Sequence, residues 1–458
     1  MDPRQGGQVD VIAAVQRLWR RADRYVQSQL TWNRLYRATS YARSALWIVP
    51  FFAILLVLVV APSLVWFDEW LGSRRPGFGT AGAQALYQTV ITLTLSFIVF
   101  TFGSLLVAVQ IAGGQLTPRI IATTLLRDNV VRYTVGLFVF TLIFAVMALD
   151  RLENEVHEIV SLVVALLGIV CIAAFLFLID YAARLLRPVS IVARVADDGV
   201  AVIEALYPKP TDQGEADSAA AFDRTRQRVV EHQGRSEIVV AVDFETLVRE
   251  ARWADGLVQF VPQVGDFVAT GEPLFVLHGG AASISDRLLR TTVAFGPERT
   301  MEQDPMFSFR ILVDIALKAL SPAINDPTTA VVAIDQVHRL LRVVGGRHLH
   351  GELIRDLDGR PRVVHRTPNW EDFVQVSCHE IRAIGAGQMQ IARRLRAMLD
   401  NLTATLPPHR HPVLNDQRQR LDQAIAVAYT LPADLALARE PDAQGLGGGT
   451  RPVQGVRS

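Results

Sequence analysis

The chain has 458 residues, half of them hydrophobic, and its mean hydropathy of +0.25 is too high for an ordinary soluble protein. A formal net charge of +1 excludes a strongly basic nucleic-acid-binding protein. The two cysteines, Cys171 and Cys378, fall in an apolar segment and in a distant polar region, which excludes a disulfide framework.

Four apolar segments between residues 44 and 183 are each long enough to cross a bilayer as a helix. They run from Leu46 to Trp66, from about Ala85 to Ile111, from Tyr133 to Leu149 and from Ile159 to Ile179. A helix needs about 20 apolar residues to span a hydrocarbon core of roughly 30 Å. Trp and Tyr residues at the segment ends are typical of membrane interfaces. We therefore predict a membrane domain of four transmembrane helices over residues 44–183.

The charges beside these segments orient the predicted bundle. Residues 1–43 form an Arg-rich segment, and arginines also follow the second and fourth apolar segments. The other two connections carry acidic residues, although Arg74, Arg75 and Arg151 reduce the difference in charge between the two sides of the membrane. Because positively charged loops stay in the cytoplasm, both termini and the large C-terminal region are predicted to be cytoplasmic.

The apolar segments contain almost no ionisable side chain, whereas pumps and proton-coupled transporters carry such side chains along their pathway. Mildly polar residues gather in the second segment instead. One stripe at helical spacing consists of Thr89, Thr92, Ser96, Gly103 and Gln110. A shorter stripe consists of Thr94, Thr101 and Ser104. Two interpretations stay open, namely helix packing through small and hydroxyl residues and the lining of a pore in an oligomer.

After the membrane domain, residues 184–236 are predicted to be linker helices. From residue 237 to residue 280 the pattern changes to alternating β-branched and polar residues punctuated by glycines, which predicts a small β module. The stretch V-G-D-F-V-x-x-G-x-P-L-F resembles the turn of barrel-sandwich modules such as lipoyl-like domains. No lysine occupies this hairpin for covalent attachment of a lipoyl or biotin group. We predict a β-barrel-like module used for packing or protein contact.

Residues 281–435 are predicted to form a helical α+β cytoplasmic domain. Asp304 and Pro305 begin one helix, a hairpin turns at residues 356–359, and an amphipathic helix runs from Trp370 to Leu399. The Gly-rich, polar residues 436–458 are predicted to be disordered.

No set of side chains indicates an enzyme. Ser321 has no evident base to activate it, and His348 and His350 lack a third ligand at a familiar metal-binding spacing. Cys378, His379 and Glu380 are adjacent on a predicted helix, so that they point in different directions. Phosphate-loop, dinucleotide and haem motifs are absent. We expect no catalytic residue, no metal and no cofactor.

The strongest local signal is S-P-A-I-N-D-P at residues 321–327. As a joint between two helices it explains both prolines and Asp326, but it does not require Asn325 or the polar stretch at residues 296–305. A helix N-terminus here is also able to receive a small anion or a partner's carboxylate. Two interpretations of this segment therefore stay open. One is a helix joint, and the other is a ligand or subunit contact formed by Arg299, Lys318, Ser321, Asn325 and Asp326.

Four stretches together resemble a family of uncharacterised bacterial predicted membrane proteins. They are Q-L-T-P-R-I-I (115–121), G-D-F-V-x-x-G-x-P-L (265–274), E-R-T-x-E-Q-D-P (298–305) and A-L-K-A-L-S-P-A-I-N-D-P-T-T-A (316–330). The resemblance covers residues 40–430 and departs at Ala323, where the family more commonly has glycine. It implies four N-terminal transmembrane helices, a cytoplasmic region and a bacterial origin, and it implies no activity. Together with the flanking charges, the leading interpretation is a multi-pass protein of a bacterial inner membrane.

Two functional hypotheses follow. The first is a homo-oligomeric channel-like or gating protein with a cytoplasmic regulatory domain. The alternative is a membrane-anchored sensor or scaffold whose cytoplasmic domain binds a ligand or a protein partner. The expected partners are the lipid bilayer, copies of the same chain and a small ligand or ion, with no nucleic acid.

Overall fold

The structure, a computed structural model, describes residues 32–71, 79–115, 128–153, 156–185, 187–211, 227–349 and 353–447. Most of the Arg-rich segment and of the Q-L-T-P-R-I-I stretch therefore lies outside the described residues. The chain divides into two compact units. The sheet unit is drawn from Met1–Tyr41, Val202–Phe307 and Arg347–Trp370. The helical unit is drawn from Ala42–Ala201, Ser308–Gly346 and Glu371–Ser458.

Four helices of the helical unit are long and apolar enough to cross a membrane, as predicted. After a first helix α1 (Trp32–Ser44), they are α2 (Ile48–Leu71), α3 (Thr80–Gln115), α4 (Asn129–Asp150) and α5 (Glu158–Leu185). Half of the apolar window of α4 is buried, against 17–22% for the other three. Helix α4 is therefore the central helix, and the other three present apolar side chains outwards, as lipid-facing helices do.

Close helix contacts in this bundle depend on glycines. A Cβ atom at Gly136 on α4 would lie 2.7 Å from Val49 on α2, and one at Gly168 on α5 would lie 2.9 Å from Val90 on α3. The Tyr87 hydroxyl on α3 also lies 2.7 Å from the Ser161 hydroxyl on α5. Small residues at the crossings let the backbones approach, which is how helices associate in a membrane.

The rest of the helical unit is built from helices that follow the bundle and from the C-terminal part of the chain. Their bounds are α6 (Pro188–Leu206), α9 (Pro305–Ala319), α10 (Pro327–Gly345), α11 (Trp370–Gly385), α12 (Met389–Thr405), α13 (His411–Ala428) and α14 (Pro432–Ala438). Helices α6, α9 and α11 each run across a boundary between the two units in the chain. The single helix predicted over 370–399 is two helices, because the chain turns after Gly385, whose Cβ would lie 2.5 Å from Ile391.

The sheet unit contains two open sheets. Its elements are β1 (Gln227–Glu231), β2 (Glu237–Val242), α7 (Phe244–Trp253), β3 (Gly256–Phe260), β4 (Phe267–Val268), β5 (Pro273–Gly279), α8 (Asp286–Thr291), β6 (Val293–Gly296), β7 (Leu353–Arg355) and β8 (Pro361–His365). Five strands form a sheet in the order β1-β5-β3-β8-β7, and three form a sheet in the order β4-β2-β6. The pair β3–β8 is parallel and the other pairs are antiparallel.

The described strands do not show the β-barrel-like module that was predicted for residues 237–280. Neither sheet closes on itself. Strand β1 lies before residue 237, and β6, β7 and β8 lie after residue 280. Part of the five-stranded sheet lies outside residues 237–280, because β8 pairs with a strand about a hundred residues earlier, and no local pattern reveals such a pairing. A shared core of buried side chains, including Val239, Phe260, Phe275 and Val363, packs between these elements.

Residues 439–447, here called the C-terminal strap, are packed although the sequence predicts disorder from residue 436. The buried carboxylate of Asp442 accepts the backbone N–H groups of Gln444, Gly445 and Gly447 at 3.0, 2.9 and 2.7 Å. Arg393 on α12, itself fully buried, donates to the carbonyl oxygens of Glu440 and Gly447. Residues 448–458 lie outside the described residues.

Candidate functional site

The S-P-A-I-N-D-P segment is a tight joint between α9 and α10. The Asp326 carboxylate caps α10 by accepting the Thr329 backbone N–H at 3.0 Å and the Thr329 hydroxyl at 2.5 Å. The Ser321 hydroxyl donates to the Lys318 carbonyl at 2.7 Å, which places this side chain on its own helix end. These contacts assign Ser321 and Asp326 roles in holding the joint.

The backbone conformation at residue 325 explains why an asparagine occupies this position, which the sequence alone did not show. Its φ of +49° lies in the left-handed region, which asparagine adopts more readily than most residues. In this conformation the Asn325 N–H reaches the Ser321 carbonyl and the Asp326 N–H reaches the Ala319 carbonyl, both at 2.8 Å. Among the described non-glycine residues a positive φ occurs at Asp255 and Asn325, so Ala323 keeps an ordinary backbone angle.

The five residues predicted as one ligand or subunit contact are divided between the units. Ser321, Asn325 and Asp326 lie at the joint in the helical unit, together with Lys318, whose Nζ donates to the Gly113 carbonyl at 3.3 Å in the last turn of α3. Arg299 belongs to the sheet unit, where its Nε donates to the Gly265 carbonyl at 2.8 Å.

The longer polar stripe of the second span lies on the outside of the four-helix bundle. Its members Thr89, Thr92, Ser96, Gly103 and Gln110 are all exposed. The hydroxyls of Thr89, Thr92 and Ser96 donate to carbonyls four residues earlier at 2.7–2.8 Å. In the shorter stripe Thr94 and Thr101 are buried. Packing within one chain therefore accounts for these two threonines but not for the longer stripe, here called the outer stripe.

Cys378, His379 and Glu380 do not form one site. Burial raises the pKa of the Cys378 thiol to about 12. The Glu380 carboxylate accepts a hydrogen bond of 3.0 Å from Arg310 Nη2, and this arginine lowers the pKa of Glu380. His350 lies outside the described residues, and the described part of the chain has no group of three or more His, Cys, Asp or Glu side chains able to hold a metal.

A cavity of about 500 Å³ lies within the sheet unit. Its apolar wall is formed by Leu206, Phe244, Val264, Leu353, Ile354 and Pro368. Its polar wall includes Tyr207, Asp304, His348, Arg355, His365 and Arg366. We call this space the Asp304 cavity. Sequence reasoning missed it because the wall combines residues from segments that are up to about 160 positions apart in the chain.

Asp304 is the buried carboxylate of this wall and is 4% exposed. Backbone N–H groups of Met306 and Phe307 interact with its side chain at the start of α9. Its Oδ2 atom is buried and has no hydrogen-bond partner among the described residues; the nearest cation is Arg299, whose Nε lies 3.8 Å away. Burial raises the pKa of Asp304 to about 6, although Arg299 and the two N–H groups act in the opposite direction.

Two of the stretches that carry the family resemblance meet beside this carboxylate. Gly265 has a φ of +95°, and a Cβ atom there would lie 2.5 Å from Asp304 Oδ2 and 2.9 Å from an Arg299 guanidinium nitrogen. Only glycine therefore fits between the backbone and this charged pair. In the same stretch Glu302 accepts the Tyr36 hydroxyl, and Gln303 accepts the Val242 N–H at 3.0 Å. The polar side chains at residues 298–305 hold α1, β2 and the G-D-F turn together.

The other polar groups of the wall are mostly basic. The His365 ring packs on the Phe244 ring with centroids 4.4 Å apart. Arg355 Nη1 donates to the Gly359 carbonyl at 3.1 Å, and the exposed Arg366 lies 3.7 Å from Asp266. Burial raises the pKa of the Tyr207 phenol, and the charge of Asp304 adds to this effect, so Tyr207 remains neutral at physiological pH.

Four apolar helices joined to an α+β region define a multi-span membrane protein. The chain belongs to the family of predicted membrane proteins designated DUF2254, whose profile matches residues 43–401. This finding confirms the predicted resemblance at the level of the family. Uncharacterised proteins of Mycobacterium bovis and Mycobacterium tuberculosis are 26% identical to the chain over 396 residues, which cover 81% of this chain and 74% of each relative. No solved structure matches the chain.

Proposed function

We propose that this protein is a membrane-anchored sensor whose sheet unit binds a small ligand in the Asp304 cavity. The observation that carries the proposal is a cavity of about 500 Å³ whose wall is mostly apolar and includes a few polar side chains, Asp304 among them. Ligand pockets in proteins have volumes of about 300–1,000 Å³, with mostly apolar walls and a few polar groups.

A continuous helix connects this cavity to the membrane bundle along the chain. Helix α6 begins directly after the fourth span, and its last residue, Leu206, lines the cavity. Near its start Arg194 Nη1 donates to the buried Asp128 carboxylate at 2.9 Å, at the first turn of α4. A ligand that displaces Leu206 and Tyr207 therefore acts on a helix that is fixed to the bundle by an ion pair.

The proposed location is a bacterial inner membrane with both termini in the cytoplasm, on the basis of the flanking arginines. The proposed partners are the lipid bilayer and a small ligand, with no nucleic acid. No enzymatic activity is proposed.

The sensor proposal is tested by blocking the cavity. We would purify the full chain in lipid nanodiscs and screen apolar, metabolite-sized compounds by hydrogen–deuterium exchange. Val264→Trp fills the cavity, and Val229→Trp places the same side chain at an exposed position of β1 outside the cavity wall. We expect hits to protect the amides around residues 203–207 and 303–307 in the natural protein and in Val229→Trp, but not in Val264→Trp. A screen without hits, or equal protection in both variants, would reject the proposal.

A channel-like or gating protein is the second candidate, and the outer stripe is the observation that favours it. This uncharged polar face points away from the other helices of the four-helix bundle. In a homo-oligomer such a face would lie against a further copy of the chain or along a pore. In a background lacking Cys171 and Cys378, we expect Ser96→Cys to form disulfide-linked dimers in membranes. Leu166→Cys, which is exposed on α5, is the matched control. Equal cross-linking at both positions, or none, would remove this candidate.

A further inference from the structure

A groove of about 190 Å³ lies between α3 and α5 on the outside of the four-helix bundle. Its floor is formed by buried side chains, among them Thr101, Leu178 and, from the first turn of α4, Val131. Ser104 and Ile179 are exposed at its mouth. Most of the apolar surface of α3 and α5 faces outwards, so the groove opens to the hydrocarbon of the bilayer and not to water.

The wall of this groove suits an apolar ligand. The Thr101 hydroxyl donates to the Phe97 carbonyl at 2.7 Å, and the Ser104 hydroxyl donates to the Thr101 carbonyl at 3.0 Å. Both hydroxyl protons are therefore used within α3, and the other lining residues are Ala, Val, Leu, Ile or Phe. An apolar cavity of about 150 Å³ stays dry and is large enough to bind benzene. A groove of this volume and lining therefore accommodates several carbon atoms of a hydrocarbon chain.

The groove also has the direction and length of a lipid chain. At its deep end the Phe100 and Phe175 rings meet edge to face, with centroids 5.4 Å apart. From these rings the lining continues along the two helices to Ala108 and Ala182. The step from Phe100 to Ala108 is about 12 Å along a helix, against about 15 Å for the hydrocarbon of one leaflet. The groove therefore follows the path of an acyl chain within a single leaflet.

Two basic side chains lie where α3 and α5 end. Lys318 Nζ donates to the Gly113 carbonyl at 3.3 Å in the last turn of α3, and Arg187 is exposed directly after α5. Neither forms an ion pair with a carboxylate among the described residues, whereas the nearby Arg184 is paired with Asp180. A carbonyl contact does not neutralise an ammonium group, so both positive charges are available to a phosphate.

From the groove and these two charges we infer that the bundle binds one phospholipid with a net negative headgroup. One acyl chain lies in the groove, and Lys318 and Arg187 bind the phosphate. Basic side chains near the membrane surface favour anionic lipids, and basic sites between transmembrane helices recognise their headgroups. In the proposed orientation the lipid belongs to the cytoplasmic leaflet. The lipid site is separate from the Asp304 cavity, so that the failure of one proposal leaves the other standing.

The test uses two lipid probes with the same photoreactive acyl chain, a phosphatidylglycerol and a phosphatidylcholine. Each probe is added at the same low mole fraction to phosphatidylcholine nanodiscs that contain the full chain. After irradiation, the labelled peptides are quantified by mass spectrometry. We expect the phosphatidylglycerol probe to label residues 100–108 and 175–182 about tenfold more than the phosphatidylcholine probe does. The outward-facing helix α2 should be labelled equally by both probes.

Filling the groove should remove the labelling. Ser104→Phe places a ring in the mouth of the groove, and we expect it to lower the labelling of residues 100–108 and 175–182 about tenfold. Val107→Phe is the matched control, because Val107 is exposed on α3 outside the groove wall, and it should leave the labelling unchanged. Labelling of α2 in both variants reports that the bundle is inserted. Groove segments that stay unlabelled in the natural protein would mean that a second copy of the chain fills the groove, and the inference would be wrong.

A further pair of substitutions tests the headgroup without altering the packing of the bundle. Lys318→Gln combined with Arg187→Gln retains an N–H donor for the Gly113 carbonyl but removes both charges. We expect the advantage of phosphatidylglycerol to fall from about tenfold to less than about twofold, with labelling by phosphatidylcholine unchanged. Arg184→Gln should keep the full advantage. Equal labelling by the two probes in the natural protein, or the same loss in Arg184→Gln as in the double variant, would overturn the inference.

Discussion

At the scale of single residues, Asn325 and Asp304 show two different reasons for a polar side chain. Asn325 is required by a backbone angle of φ +49° that closes the joint between α9 and α10. Asp304 is a helix cap whose second oxygen remains without a hydrogen bond inside a cavity wall. The first residue stabilises the fold, whereas burial of the second reduces the stability of the folded state at neutral pH.

The stability of Asn325 variants should depend on how well the new residue tolerates the positive φ angle. Asn325→Gly is expected to be neutral, because glycine adopts a positive φ freely. Asn325→Val should lower the free energy of unfolding by about 1–2 kcal/mol, because a β-branched residue is strained there. Thr328→Val, three residues later in a helical conformation, is the control. Equal melting temperatures of Asn325→Val and Thr328→Val in nanodiscs would contradict this account.

The raised pKa of Asp304 predicts a pH dependence of stability. Its pKa is about 6 in the folded chain and about 3.9 in an unfolded chain, so the folded state binds more protons between these values. The free energy of unfolding therefore falls as pH rises from about 4 to about 6, and it levels off above that range.

Asp304→Asn removes this titration. It should be about 1–3 kcal/mol more stable than the natural protein at pH 7.5 and nearly equal to it at pH 4.5. The facing groups Arg299, Asp266 and Tyr207 are unchanged in the variant. Melting followed by tryptophan fluorescence at the two pH values measures the difference, and a constant difference between them would refute the assignment.

At the scale of elements, the C-terminal strap depends on one acid. Asp442 holds three backbone N–H groups, and Arg393 is buried beneath the strap. Asp442→Ala leaves these donors without an acceptor, at a cost of about 1–3 kcal/mol. We expect at least tenfold faster hydrogen exchange in residues 439–447, while Asp416→Ala, on an exposed site of α13, should leave the exchange unchanged.

Sequence patterns predicted the elements whose signals are local. The four spans followed from apolar length, and the starts of α9 and α10 followed from Asp-Pro pairs at Asp304 and Asp326. The sheet order did not follow, because β3 and β8 are distant in the chain. The strap was missed because its Gly-rich composition resembles disorder, whereas the capping of backbone groups by Asp442 depends on tertiary contacts with α12. The Asp304 cavity was missed for the same reason.

At the scale of the whole molecule, the proposed orientation predicts which side chains face the outside of the cell. Gly79→Cys, just before α3, should react with a membrane-impermeant maleimide in intact cells. Val427→Cys on α13, 86% exposed, should react only after the membrane is permeabilised. The native cysteines are both buried and provide a low background. The reverse labelling pattern would place both termini outside the cytoplasm.

The interleaving of the two units along the chain has a consequence for biosynthesis. The four apolar helices leave the ribosome before any of the described strands, but each unit also needs residues that are translated much later. The five-stranded sheet is complete only after β8 has been translated and has paired with β3. Apolar strands therefore remain exposed during synthesis, when nascent chains are most prone to aggregate. A fragment that begins after the fourth span would also divide the helical unit. Production of this protein therefore calls for the full chain, translated slowly in the presence of both a membrane and chaperones.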